Sequence, residues 1–180
     1  MEDKFVNLDI LFSGFGGQGI LFISKIISYA ALENGYNVTW LPSYGPEMRG
    51  GTANCSVVIS TKKISSPIVS NPKYMIAMNY PSFNKYESKV MENGYMFVNS
   101  DIVSNEHLRK DVKYFDIPIQ SMARNISEKV YGNIVMLGSL TKILNVISKN
   151  SVINALKNNL NKKFDFNENE IAFKAGYDFL

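Results

Sequence analysis

The chain has 180 residues, of which 46% are hydrophobic and 19% are charged, and its formal net charge is +3. This composition is typical of a folded globular protein and excludes disorder, collagen and coiled coil as descriptions of the whole chain. A single cysteine and a single histidine exclude a disulfide framework, a thiolate-ligated iron–sulfur cluster and a multi-histidine zinc site.

Charge and hydropathy also limit the partners and the compartment. The small positive charge comes almost wholly from lysine, with no basic cluster, so we expect no nucleic-acid partner. Residues 1–4 lack the basic and apolar regions of a signal peptide. The most apolar stretch, 20–32, is too short and too polar to span a bilayer. We expect a cytoplasmic protein with no membrane partner, folded as one domain over 1–180.

The first half of the chain alternates short apolar runs with helical patterns. A strand at 8–12 leads into a glycine-rich turn, and apolar residues at helical spacing then predict a helix over 20–31. A second strand at 36–41 is followed by a loop over 42–51 that is rich in proline and glycine. Further strands are predicted at 52–60, 74–78, 95–99 and 112–117, with a short helix after 79–81.

After Pro118 the pattern becomes helical, and we predict helices over 121–130, 133–147, 151–160 and 168–179. The alternation of strands and helices predicts an α/β fold with three layers, Rossmann-like, in which helices flank a mostly parallel or mixed sheet. The last third of the chain is predicted to be helical. Because residues 52–60 alternate apolar and polar side chains, we expect that strand to be an antiparallel or edge member of the sheet.

The glycine-rich turn matches a dinucleotide-binding fingerprint. Its pattern is Gly14-x-Gly16-x-x-Gly19, with Gly17 and Gln18 inside it, and it follows a strand and opens a helix. Glycines allow close backbone approach, and the free N–H groups of a helix N-terminus attract an anion. The acidic residue expected at the end of the second strand is missing. That position carries Thr39, Trp40 and Leu41.

Three interpretations of the glycine-rich turn stay open from the residues alone. The glycines serve helix–strand packing only, or the turn binds a phosphate or other anion that is not NAD, or it binds a nicotinamide or flavin dinucleotide. The last would make the chain a standalone NAD- or FAD-binding redox protein. The first would make it a purely structural interaction module.

The loop that follows the second strand is the other candidate site. Loops at the carboxyl ends of strands in α/β sheets are where ligands bind. Arg49 is the candidate catalytic residue, because its guanidinium offers paired donors to a carboxylate or phosphate; pairing with Glu47 to order the loop is the competing interpretation. A proline-stiffened loop of this kind also suits a protein interface. The candidate interface or active-site residues are Ser43, Tyr44, Glu47, Met48, Arg49, Gly50 and Gly51.

The remaining reactive residues indicate no catalytic group. Cys55 falls on the apolar face of its strand and is predicted to be a buried structural thiol. His107 lies in a polar stretch and is predicted to be a surface residue. No Ser-His-Asp or paired-carboxylate pattern occurs.

Two glycine-rich blocks stand out, the turn over 14–19 and the segment over 43–53. Taken together, they resemble the gamma subunit of the 2-oxoacid:ferredoxin oxidoreductases. The similarity extends through Ala77-Met78-Asn79, 133–138, Asn169 and Ala175-Gly176-Tyr177, so it covers almost the whole chain. The amino-acid sequence of the second block is most similar to the 2-oxoglutarate and branched-chain 2-oxoacid branch of this family. The resemblance implies oxidative decarboxylation of a 2-oxo acid to an acyl-CoA with reduction of ferredoxin.

The resemblance also implies where the cofactors reside. Thiamine diphosphate with magnesium and the iron–sulfur clusters are expected on partner subunits of alpha, beta and delta type, and ferredoxin is reached through the complex. The sequence agrees that this chain does not hold them, since it has no cluster cysteines and no Gly-Asp-Gly segment followed by paired asparagines. The chain is then an accessory subunit. We expect its glycine-rich turn, with Gly14, Gly16, Gly17, Gln18 and Gly19, to receive the phosphates of coenzyme A.

Overall fold

A computed structural model describes residues 5–44, 52–103, 109–127, 131–161 and 164–180, and for Tyr44 the backbone only. Within these residues six strands form one sheet. The strands are β1 (Asn7–Phe15), β2 (Asn37–Tyr44), β3 (Thr52–Ser60), β4 (Tyr74–Ala77), β5 (Tyr95–Asn99) and β6 (Lys113–Ile117). The helices are α1 (Ile20–Glu33), α2 (Tyr80–Tyr86), α3 (Ile119–Arg124), α4 (Gly132–Leu144), α5 (Lys149–Asn159) and α6 (Phe166–Phe179), with a 3-10 turn at Glu87–Lys89.

The sheet is mixed, with the strand order β2-β3-β1-β4-β5-β6. Strands β1, β4, β5 and β6 run parallel, whereas β3 is antiparallel to both of its neighbours, β1 and β2. The predicted α/β fold with a mixed sheet, flanking helices and a helical C-terminal third is therefore confirmed. The strand at 52–60 is antiparallel as expected, but it lies inside the sheet and not at an edge.

Helices cover the two faces of the sheet unequally. Along β1, Leu8, Ile10 and Phe12 pack into a large core with α1, α4, α5 and α6. Leu11 points to the opposite face, into a smaller core with Phe83 of α2. Because β1 is buried on both faces, it appears in the sequence as a continuous apolar run and not as an alternating one.

Two strands are longer than the sequence predicts. Strand β1 continues to Phe15, because Gly14 and Phe15 pair with Ala53 and Thr52 of β3. Strand β2 runs past the predicted end at residue 41 and includes Pro42. Proline has no N–H to donate, and the sheet accepts it here because β2 is an edge strand.

The helix predicted over 121–130 is shorter and begins earlier, as α3. Its start is fixed by Asp101, whose carboxylate accepts hydrogen bonds from the N–H groups of Gln120 at 2.6 Å and Ser121 at 3.1 Å. Burial raises the pKa of Asp101, but these hydrogen bonds and the charge of Arg124 outweigh it, so the pKa lies below its ordinary value. Residues 128–130 lie outside the described part. The other predicted helices differ by one to three residues at their ends.

No helix in the described residues is long and apolar enough to cross a membrane. The same residues contain no group of three or more histidine, cysteine, aspartate or glutamate side chains that could hold a metal ion.

Candidate functional site

The glycine-rich turn joins β1 to α1 at the carboxyl end of the parallel strands. Gly17 and Gly19 have φ angles of +97° and +73°, which side chains other than glycine rarely adopt. Gly14 needs to be small for a different reason. A Cβ there would lie 2.8 Å from Gln18 Oε1 and 3.1 Å from Met78 Cβ. The turn is therefore built from backbone that packs closely against β4.

Gln18 fastens this turn to the neighbouring strand. Its Oε1 accepts hydrogen bonds from the N–H of Phe15 at 2.7 Å and from Nδ2 of Asn79 at 2.9 Å. Its Nε2 donates to the carbonyl oxygen of Met78 at 3.2 Å. Asn99 donates to that same carbonyl at 3.3 Å. The acceptor oxygen of Gln18 is thus occupied inside the protein, and the side chain holds the shape of the turn.

A cavity of about 600 Å³ opens beside the turn. Its walls combine apolar side chains with carboxamides, and no described lining residue carries a charge. The apolar residues are Phe22, Met78, Ile119, Ile134, Leu160 and Phe164, and the carboxamides are Gln18, Asn99, Gln120, Asn133, Asn159, Asn161 and Asn169. A cavity of this size and lining has the dimensions and chemistry of a small-molecule site.

Helices α1, α3 and α4 begin at the cavity. Asp101 binds the first turn of α3, but no side chain caps α1 or α4. Helix α1 starts after Gly19 and α4 starts after Tyr131, with no acidic residue in either first turn. The first N–H groups of a helix have no partner within it, and they carry a partial positive charge. Two such ends at one cavity make it favourable for an anion even without a charged side chain.

Asn133 lies where the two helix ends meet. A Cβ at Gly19 would be 2.3 Å from Nδ2 of Asn133, so the carboxamide covers the first turn of α1. Its side chain makes no hydrogen bond with the described residues. The amide is thus able to donate into the cavity.

Tyr131, the residue just before α4, also lines the cavity. The Tyr131 hydroxyl donates a hydrogen bond to the carboxylate of Glu168 on α6, and Ser127 donates to the same carboxylate at 3.3 Å. Burial, and then the hydrogen bond and charge of Glu168, raise the pKa of Tyr131 to about 12. The phenol therefore stays neutral at physiological pH and links the starts of α4 and α6.

The described ends of the second predicted loop lie at the same edge of the sheet. Ser43 pairs with Asn54, which also pairs with Ser13 of β1, and Thr52 pairs with Phe15. The two glycine-rich blocks therefore converge, because β3 lies directly between β1 and β2. The predicted residues Glu47, Met48, Arg49, Gly50 and Gly51 lie outside the described part of the chain.

The sheet order accounts for the missing ribose-binding acid. Since β3 separates β2 from β1, the carboxyl end of β2 lies about 10 Å from that of β1, twice the spacing of a dinucleotide-binding sheet. The position is instead apolar, and Trp40 donates from Nε1 to the hydroxyl of Ser24 on α1 at 2.9 Å. Nothing in this geometry favours a nicotinamide or flavin dinucleotide.

Cys55 is fully buried on β3, as the sequence indicated. Burial raises the pKa of its thiol to about 11, with hydrogen bonds to Ser24 and the Leu41 backbone opposing the shift. His107 lies outside the described residues. The structure therefore assigns Cys55 to the core.

Pattern reasoning from the sequence missed most of the cavity wall. No periodic or motif signal marked Asn99, Gln120 or Tyr131. These three residues come from different segments, and only the fold brings them together. Asn133 and Asn169 lie within the stretches of family resemblance, which was the one available indication that they matter.

Comparison with known proteins identifies relatives along the whole chain. A family model described as pyruvate ferredoxin/flavodoxin oxidoreductase matches residues 9–179. The chain is 36% identical over 173 residues to 2-oxoglutarate synthase subunit KorC of Methanocaldococcus jannaschii, covering 94% of this chain and 92% of that protein. It is 34% identical to ketoisovalerate oxidoreductase subunit VorA of Methanothermobacter thermautotrophicus, covering 76% of this chain but 28% of that one.

Two solved structures share the fold. The keto/oxoacid ferredoxin oxidoreductase gamma subunit of Geobacter sulfurreducens superposes with a TM-score of 0.81 at 27% identity, over 95% of this chain and 96% of that one. The 2-oxoglutarate:ferredoxin oxidoreductase of Magnetococcus marinus, solved with 2-oxoglutarate, coenzyme A and succinyl-CoA bound, gives a TM-score of 0.86 at 25% identity. There the match covers 97% of this chain and 31% of that one.

Proposed function

Since this chain belongs to the pyruvate ferredoxin/flavodoxin oxidoreductase family, we propose that it acts as the gamma-type accessory subunit of a 2-oxoacid:ferredoxin oxidoreductase. In that reaction the 2-oxo acid loses CO2, its acyl group passes to the thiol of coenzyme A, and two electrons pass to ferredoxin. The relatives named for 2-oxoglutarate and ketoisovalerate support 2-oxoglutarate or a branched-chain 2-oxo acid as the substrate.

The redox and decarboxylation cofactors belong to other subunits in this proposal. Thiamine diphosphate, magnesium and iron–sulfur clusters reside on subunits of alpha, beta and delta type, and ferredoxin docks elsewhere on the complex. The chain's one cysteine supports this division, because Cys55 is buried in the core and an iron–sulfur cluster requires several thiolates.

The observation that carries the role of this subunit is the pair of uncapped helix ends at the cavity. We propose that the first turns of α1 and α4 receive a phosphate of coenzyme A. Asn133 donates a hydrogen bond to it from the seam between the helices. The carboxamides and apolar walls suit an uncharged chain that contains amide groups, such as the arm that joins the phosphates of coenzyme A to its thiol.

The assembly is tested by purifying the chain from native extract without oxygen. Mass spectrometry identifies its partners, and a viologen-reduction assay is run across several 2-oxo acids. We expect a thiamine-binding and a cluster-binding subunit to accompany it, and one 2-oxo acid to drive reduction that depends on coenzyme A. A chain that arrives alone and inert would refute the proposed function.

The coenzyme A site is tested in the assembled complex with Gly16→Leu and Asn133→Asp. The aspartate is nearly the same size as asparagine and its charge favours a helix N-terminus, so the fold is retained while phosphate is repelled. We expect the KM for coenzyme A to rise about tenfold or more and the KM for the 2-oxo acid to stay constant. Unchanged coenzyme A kinetics in both variants would remove the site from this cavity.

A second part of the proposal concerns the loop between β2 and β3. We propose that Tyr44 and residues 45–51 face the catalytic subunits, with Arg49 near the substrate or at the subunit seam. The pairing of Ser43 and Thr52 with strands beside the glycine-rich turn supports it. Arg49→Ala is expected to damage turnover or assembly. A variant complex with normal yield and normal rate contradicts the proposal.

A further inference from the structure

Strand β2 is an exposed edge with an unusual composition. Its eight residues include no charged side chain, and Trp40 and Leu41 are 38% and 39% exposed. The opposite edge, β6, carries Lys113 and Asp116. Proteins usually protect a long edge with charges, proline or a covering element, since its unpaired backbone groups otherwise recruit another chain. Strand β2 has Pro42 but no charged residue.

A groove of about 430 Å³ runs beside this edge, on the sheet face opposite α1. Its floor consists of two rows of side chains across three strands. Leu41, Ser56 and Leu11 are in register, and Ser43 and Asn54 form the next row toward the β2–β3 loop. The groove floor is therefore part of the sheet that α2 and the 3-10 turn leave uncovered.

The walls of the groove are apolar and basic. One wall is Ile68, which is 65% exposed and belongs to a connection that is anchored where the N–H of Val69 donates to Ser56 at 3.4 Å. The other wall is Tyr86, with Lys85 and Lys89 over its ring at 5.1 and 5.4 Å. The groove suits an apolar side chain flanked by a carboxylate, because Leu11, Leu41 and Ile68 line it among polar residues. Lys89, which also lines it, supplies the positive charge for the carboxylate.

The relatives indicate what kind of partner this chain meets. In VorA and in the Magnetococcus marinus structure, the segment that matches this chain is less than a third of a longer polypeptide. In KorC and in the Geobacter sulfurreducens subunit it is nearly the whole chain. The same fold thus occurs both joined to a larger chain and separate from it. A separate copy must meet the equivalent of that larger chain as a subunit.

We propose that the β2 edge and this groove form the docking surface for the subunit equivalent to the remainder of those longer chains. That subunit places an apolar side chain between Leu41 and Ile68, and a neighbouring carboxylate pairs with Lys89. This inference rests on the proposed function, because it requires the oxidoreductase complex to exist.

The test compares two exposed isoleucines that receive the same substitution. Ile68→Lys changes the groove, and Ile171→Lys changes α6, where Ile171 is 54% exposed. Each full-length variant is mixed with the purified partner subunits, and the dissociation constant is measured by calorimetry. We expect Ile68→Lys to weaken assembly about tenfold or more and Ile171→Lys to leave it unchanged. Lys89→Glu is also expected to weaken assembly and to make the dissociation constant less dependent on salt concentration.

The other outcomes overturn the proposal in distinct ways. Wild-type affinity in both Ile68→Lys and Lys89→Glu excludes the groove while leaving the complex and the proposed function intact. A wild-type chain that fails to bind the partner subunits at all refutes the proposed function itself. A wild-type dimer that Ile68→Lys dissociates identifies a second copy as the occupant. An isolated chain whose melting temperature falls with Ile68→Lys but not with Ile171→Lys shows that the chain fills its own groove.

Discussion

Asn79 Nδ2 donates a hydrogen bond at 2.9 Å to Oε1 of Gln18, and this joins the glycine-rich turn to the end of β4. The Oδ1 of the same asparagine accepts from the N–H of Ser82 at 2.9 Å and caps α2. One side chain therefore connects the glycine-rich turn to the first turn of α2. The position of the turn depends on this pair of amides and not on its glycines alone.

Replacing Gln18 with alanine is expected to destabilise the protein. The change removes three hydrogen bonds, each worth about 1 kcal/mol, so we expect a loss of about 1–3 kcal/mol in the free energy of unfolding. Urea unfolding measures it. Gln120→Ala is the matched control. Its carboxamide lines the same cavity and makes no hydrogen bond with the described residues, so a comparable loss there would show that Gln18 has no special role.

The contact between α4 and α6 depends on two glycines. A Cβ at Gly138 would lie 2.0 Å from the carbonyl oxygen of Phe173, and one at Gly176 would lie 1.9 Å from that of Val135. Backbone atoms cannot move aside cheaply, so alanine at either position is expected to cost about 3 kcal/mol or more. Thermal and urea unfolding measure this. Gly132→Ala is the control, because a Cβ there would lie 3.4 Å from the nearest atoms, those of Ile119. We expect its free energy of unfolding to be nearly unchanged. Equal losses in all three variants would contradict the packing argument.

The Cys55 thiol is expected to be unreactive in the folded protein. Burial raises its pKa to about 11, so the nucleophilic thiolate is scarce at about pH 8, and the side chain is inaccessible. Ellman's reagent should label it about a hundredfold more slowly than in denaturant, where the single thiol per chain reacts completely. Rapid labelling under native conditions would place Cys55 on an accessible surface and contradict the structure.

Tyr131 makes stability sensitive to alkaline pH. Burial and Glu168 raise its pKa from 10.0 to about 12 in the folded chain, so the unfolded chain loses this proton first as the pH rises. The contribution is complete below about pH 10 and is lost between about pH 10 and 12. Urea unfolding of the wild type and Tyr131→Phe should show a wild-type advantage at about pH 8 that disappears by about pH 12. A pH-independent difference would mean that folding does not raise the pKa of Tyr131.

Local sequence patterns predicted the elements whose structure depends mainly on residues close together in the chain. The apolar run before Gly14, the glycines at positions with positive φ and the helical spacing after Gly19 predicted the strand, the turn and α1. The alternation over β3 predicted a half-buried strand that is antiparallel or at an edge, and β3 is antiparallel. The half-buried prediction was wrong, because residues 55–60 are buried on both faces of the sheet. These signals arise from backbone geometry and burial within a few residues of each other.

The sequence by itself thus determined the fold class, the glycine-rich turn and, by resemblance, the family. Only the tertiary structure decided that β3 lies between β1 and β2 and that the start of α4 meets the start of α1. It also decided that Gln18 is held inside the protein while Asn133 is available to the cavity. The physical reason is that strand order and helix packing depend on contacts between residues far apart in the chain, which leave no periodic trace in either segment.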